Sequence, residues 1–198
     1  MTRQKWCIVQ HSMTISKKIR TIAVESLNKV HDVDAKIKKL ESERDFWHKS
    51  GYEAQMNALR AERQNLLFEA NRRLDAAKAS YAERLKKLYT PTAEALTVPD
   101  RAVLDSGISL TERDIVELFD RNAGNPSFQK LILERAEKNG IQVSRCVTEE
   151  SEKLKGFDTL RSYYNTALTP NGETHEIALR NNAMFEKIIP QAIRGDSE

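Results

Sequence analysis

Cysteine, histidine and carboxylate side chains at helical spacing are the first place to look for chemistry, because they ligate metals and move protons. Cys7 and His11 stand four positions apart and would share one helix face as two metal ligands, but no further ligand clusters with them. His31, Asp32 and Asp34 lie close together, yet only His31 and Asp34 would share a face, and a solvated polar face accounts for them. His48 and His175 stand alone. Glu149, Glu150 and Glu152 crowd the start of a helical run, where carboxylates complement the helix dipole without a catalytic task. No GxxxxGK or GxGxxG loop is present to cradle a phosphate, and no GxSxG elbow presents a nucleophile. No acid, base and nucleophile set can be named, so the sequence reads as non-enzymatic, without cofactor or metal.

Cations offer a second chemistry, contact with phosphate. Lys17, Lys18 and Arg20, then Lys38 and Lys39, Arg72 and Arg73, and Lys86 and Lys87 are the candidate phosphate contacts. No aromatic residues interleave with them, so any such binding would be blind to base sequence. Helical runs at 112–121 and 127–139, joined by Asn122-Ala123-Gly124-Asn125-Pro126, have the outline of a helix-turn-helix. Glu112, Asp114, Glu117, Asp120, Glu134 and Glu137 make that pair acidic, which suits an ordinary helical hairpin better than a DNA reader.

The elements that carry these residues follow from pattern and composition. The chain has 198 residues, 31% charged and 39% hydrophobic, with mean hydropathy −0.61. No apolar run approaches the roughly 18–20 residues of a membrane span, and the first fifteen residues lack the apolar core of a secretory signal. Two distant cysteines make no disulfide framework, so a reducing cytoplasm is the expected compartment. Residues 1–90 hold 19 Lys+Arg against 11 Asp+Glu, whereas residues 91–198 hold 13 against 18. Halves of opposite sign suggest two tasks, or one half that meets the other.

From Ser12 to Thr90 there is one glycine, Gly51, and no proline. Val30, Val33, Ile37, Leu40 and Trp47 fall on one helical stripe, and Met56, Leu59, Leu66, Leu74, Tyr81, Leu85 and Leu88 continue it. These twelve side chains are the expected oligomer interface. The stripe slips by one position near Ser50: Gly51, Ala54, Ala58 and Ala61 occupy the old phase, and the bulky residues resume at Tyr52. Ser50 and Glu53 fit a capping box. Either the chain folds back there as an antiparallel hairpin, or one long coiled coil absorbs the slip as a stutter. Thr90-Pro91 ends the run.

Beyond it, 91–109 reads as a linker and 110–198 as a compact helical lobe. Thr111 caps one helix and Gly124 closes it; Asn125-Pro126 opens the next and Asn139-Gly140 ends it. Ile141–Val147 alternates like a strand without a partner, either an extended connector or an edge for another chain. Glu149–Leu168 reads as helix with Leu154, Phe157, Leu160, Tyr164 and Leu168 apolar. After the turn Thr169-Pro170-Asn171-Gly172, a last helix over Glu173–Ile193 is expected to bury Ile177, Met184, Ile188 and Ile189. The fold class is therefore all-α: a helical arm at 1–90, a linker and a small lobe.

With the arm Ser12–Tyr89 and the lobe segment TERDIVELFDRNAGNPSFQKLILERAEKNGI, Thr111 to Ile141, this layout resembles the scaffolding and minor structural proteins of tailed bacteriophages. The resemblance implies a homo-oligomer built through the arm, a capsid or tail component as protein partner, and a place in the host cytoplasm or virion. That group commonly ends in a basic helical module. The lobe here is acidic, so the basic arm becomes the expected contact surface, with nucleic acid as the alternative partner and no membrane.

Overall fold

In a computed structural model, the chain is described over residues 14–96, 99–169, 171–194 and 196, apart from the side chains at positions 94 and 95. The elements among the described residues are all helices, joined by turns and connectors, with no strand. Helix α1 spans Ile15–Ser42, capped by the Thr14 hydroxyl, and α2 spans Lys49–Tyr89. The two run antiparallel. Glu25 pairs with Arg73, Asp34 with Arg63 and Lys36 with Glu62, so the paired numbers add to 97 or 98 each time. Val33 and Leu40 of α1 meet Met56 and Leu59 of α2, with Ile37, Tyr52 and Leu66 packed against them.

The reversal comes earlier than the capping box at Ser50 predicts. A 3-10 turn at Arg44–Phe46 follows α1, Trp47 is extended, and the His48 carbonyl accepts the first α2 bond, from the Tyr52 N–H at 3.0 Å. Ser50 is already inside α2, hydrogen-bonded to His48 Nδ1. Gly51 is not the turn either: a Cβ there would meet the Trp47 ring at an ordinary 3.7 Å.

Contacts divide the chain into two compact units, 1–79 with 156–198, and 80–155. The boundaries differ from the division at 1–90, 91–109 and 110–198 that the sequence predicts. In the first unit, α7 (Glu150–Ala167) lies against both arms from Gly156 onward. The Tyr164 hydroxyl meets the Ser26 hydroxyl at 2.7 Å, Lys78 pairs with Asp158, and Arg161 with Asp75. Gly156 is fixed by close approach, since a Cβ would come within 2.9 Å of Ile193 Cγ2. The expected final helix is split: α8 spans Glu173–Arg180 and α9 Asn182–Ile188. Asn181 is extended and caps α9 through Met184 N–H, which turns the chain and leaves Ile177 47% and Met184 37% exposed rather than buried.

The second unit is built on α5 (Glu112–Arg121) and α6 (Pro126–Lys138). Thr111 and Asp114 form a complete capping box, and Asn125 caps α6. Ile115, Leu118 and Phe119 pack with Phe128, Ile132 and Ala136. The stretch expected as a linker joins this core: α3 (Ala93–Leu96) and α4 (Pro99–Asp105) bring Leu96 and buried Leu104 to it. Gly140, with φ +69, turns the chain after α6, whereas Gly124 has no left-handed geometry. Ile141, Val143 and Val147 rest half-buried on the core, so this segment is a connector with a bend at Ser144 rather than a strand. The last turns of α2 belong here too, where Ser127 Oγ donates to the Leu88 carbonyl and the Tyr89 hydroxyl donates to the Thr148 carbonyl.

Candidate functional site

Within the first unit, α1, α2 and the turn from α7 into α8 enclose an open groove of about 740 Å³. Val30, Ile37, Ala167 and Leu168 give it an apolar lining; Asp34, Glu41, Glu173 and Glu176 face Lys38, Arg63 and His31 around it. Positions 30, 34, 37, 38 and 41 recur at helical spacing and so share one side of α1. Asp34 accepts from Arg63 Nε at 2.7 Å. Glu176 accepts from Arg180 Nε at 2.6 Å and faces His31 Nε2 at 3.2 Å. Glu41, Glu173 and Lys38 make no ion pair among the described residues. The groove offers an apolar strip edged with carboxylate; no group of three potential metal ligands forms anywhere among the described residues.

The expected oligomer interface is largely enclosed by the chain itself. Val30, Val33, Leu40, Met56, Leu59, Leu74, Tyr81 and Leu85 are all at most 6% exposed, and Ile37, Leu66 and Leu88 are half-buried. A stripe already covered by its own molecule cannot also line a contact between copies in this fold. Trp47 alone of the twelve is exposed, because the extended backbone of the reversal takes it off the α1 stripe.

The candidate phosphate contacts are dispersed. Arg20 is fully engaged: its guanidinium donates to the Leu179 and Arg180 carbonyls at 2.7 Å each and to Asn182 Oδ1. Arg72 pairs with Glu69, Arg73 with Glu25, and Lys39 with Glu43. Lys18 is half-buried. Lys17, Lys38, Lys86 and Lys87 are exposed, with Lys17 and Lys38 about 30 Å apart along α1 at 1.5 Å per residue. No continuous basic face arises from them within α1. Trp6, Cys7 and His11 lie outside the described residues.

Two features had little or no sequence signal. The groove depends on the α7–α8 turn returning to α1, a contact between positions more than a hundred residues apart. The exposed apolar side chains of the hairpin, Phe46 at 89% and Phe68 at 72%, fall outside the periodic stripe, and that mismatch was their only mark. None of the described helices is long and apolar enough to cross a membrane. Compared with known protein families, curated proteins and solved structures, the chain matches none.

Proposed function

We propose that this is a non-enzymatic assembly protein that self-associates and holds a protein partner through its helical hairpin. The single observation that carries this reading is the exposure of Phe46 and Phe68, with Trp47 beside Phe46, on a hairpin whose own stripe is already covered. A large aromatic left in water forfeits the ~1.5–3 kcal/mol that burial brings, and aromatic anchors are the residues most often found at the centre of protein contacts. The contact between copies thus falls to these exposed aromatics, at the reversal and midway along α2, rather than to the Val30–Leu88 stripe. The setting that fits this layout is a scaffolding or virion structural protein of a tailed bacteriophage, with a capsid or tail component as partner.

Multi-angle light scattering on the eluting full-length chain, over roughly 1–100 μM, a span that covers Kd values in the micromolar range, tests it. Self-association is expected, and Phe46→Ser with Phe68→Ser should shift the midpoint at least about tenfold, as loss of hot-spot aromatics does. A wild-type chain that stays monomeric throughout, with the variant indistinguishable from it, overturns the reading.

A further inference from the structure

Resting on the assembly reading, we propose that the groove along α1 docks a basic amphipathic helical segment of the partner protein. Its volume of about 740 Å³ lies in the range of sites that enclose a ligand, but its form is open and linear. The lining on α1 runs from Val30 to Glu41, about 16 Å or three helical turns, which matches a short helix laid into a groove better than a compact small molecule. Ile37 and Leu168, both half-buried, supply the apolar surface that would meet the stripe of such a segment, over a floor closed by buried Val30.

The charge at the edges decides the sign of the occupant. Asp34 is neutralised by Arg63 at 2.7 Å and Glu176 by Arg180 at 2.6 Å. Glu41 and Glu173 are left against Lys38, a surplus of one negative charge, and neither carboxylate has an ion pair of its own among the described residues. Lysine or arginine flanking the partner's apolar stripe would meet these two carboxylates, whereas a polyanion such as nucleic acid would be repelled by them.

The test uses the full-length chain and a fluorescein-labelled peptide of about fourteen residues, roughly four turns, with leucines at helical spacing and lysines beside them. Its twin carries glutamate in place of lysine. The basic peptide is expected to bind saturably, and Glu41→Gln with Glu173→Gln should weaken it about five- to tenfold, the loss of two exposed ion pairs. Glu134→Gln with Glu137→Gln, on the exposed side of α6, should leave it unchanged. No binding, equal binding of the acidic twin, or equal weakening by the α6 pair overturns the proposal. Light scattering on the same samples separates the two readings: self-association without peptide binding removes the groove alone, and loss of both removes the assembly reading as well.

Discussion

One hydrogen bond inside the first unit links distant parts of the chain and gives a sharp energetic test. Ser26 of α1 and Tyr164 of α7 join hydroxyls at 2.7 Å, at 6% and 0% exposure. Tyr164→Phe removes the partner of the buried Ser26 hydroxyl, and Ser26→Ala removes that of the phenol. Each single change should cost about 1–2 kcal/mol, the desolvation of one buried polar group left without a partner. The double variant removes both polar atoms and should cost no more than about 1 kcal/mol, because neither remains to be satisfied. Urea unfolding with linear extrapolation reads these differences, and thermal midpoints should follow at about 2–4 °C per kcal/mol for a chain of this size. Additive losses in the double variant would refute the reasoning, since they would mean that the hydroxyls do not depend on each other. The same pair predicts a pH effect. Burial pushes the Tyr164 phenol up, against the lowering influence of the Ser26 hydrogen bond. The folded chain therefore favours the neutral phenol. That contribution is complete below the unfolded-state value of about 10 and is lost as pH rises through the raised folded one. The urea midpoint should fall over that interval, and Tyr164→Phe should flatten that part of the slope.

Two further outcomes are expected. Arg20→Ala removes a guanidinium that holds the Leu179 and Arg180 carbonyls and lies 5.2 Å over the Phe185 ring, so it should cost about 2 kcal/mol and quicken amide exchange in α8 and α9 more than in α5 and α6. Arg20→Lys should not restore it, because an ammonium lacks the planar fork; full rescue by lysine would show that charge alone matters. At α5, hydrogen bonds from the Thr111 backbone and then its side chain lower the Asp114 carboxyl below its ordinary value. The cap is therefore complete above the unfolded-state carboxylate range and fails as pH falls through the lowered folded value. The protection of the capped amides, Thr111 and Asp114, relative to their intrinsic exchange rates should fall on acidification in the wild type and show no such dependence in Asp114→Ala.

The local fold was legible where a local rule acts alone. Thr111 with Asp114, Asn125 before Pro126 and Asn139-Gly140 mark helix ends through bonds made within a few residues, and the structure places ends at those positions. The stripe of Met56, Leu59 and Leu74 identified buried positions through helical period, which does not depend on what covers them. What covers them was not legible. The same stripe is satisfied by a second copy, or by the chain's own α1 over Met56 and Leu59 with α7 added against both arms, as the Ser26–Tyr164 and Asp75–Arg161 contacts show. The reversal was misplaced for a related reason. Ser50 and Glu53 satisfy a capping pattern, but six residues at 43–48 are needed to turn α1 into α2, and a motif of four residues carries no information about that span.

Charge by segment misled more than pattern did, and the reason bears on function. A surplus of cations over residues 1–90 becomes a basic face only if the acids that neutralise it are elsewhere in space. Here many of the cations are individually engaged: Glu25 sits on Arg73 and Asp34 on Arg63 within the arm, Asp158 of the acidic half sits on Lys78, and the ends of α8 and α9 accept from Arg20. Of these ion pairs only Lys78–Asp158 joins the basic half to the acidic one, and Arg161–Asp75 joins them with the signs reversed, so the cations of the arm are engaged one by one rather than cancelled by the acidic half. Carboxylates that this pairing leaves over, Glu41 and Glu173, gather at the groove instead. The surface charge that a partner meets is thus the residue of internal pairing, and in the groove it is opposite in sign to the arm that forms most of its wall.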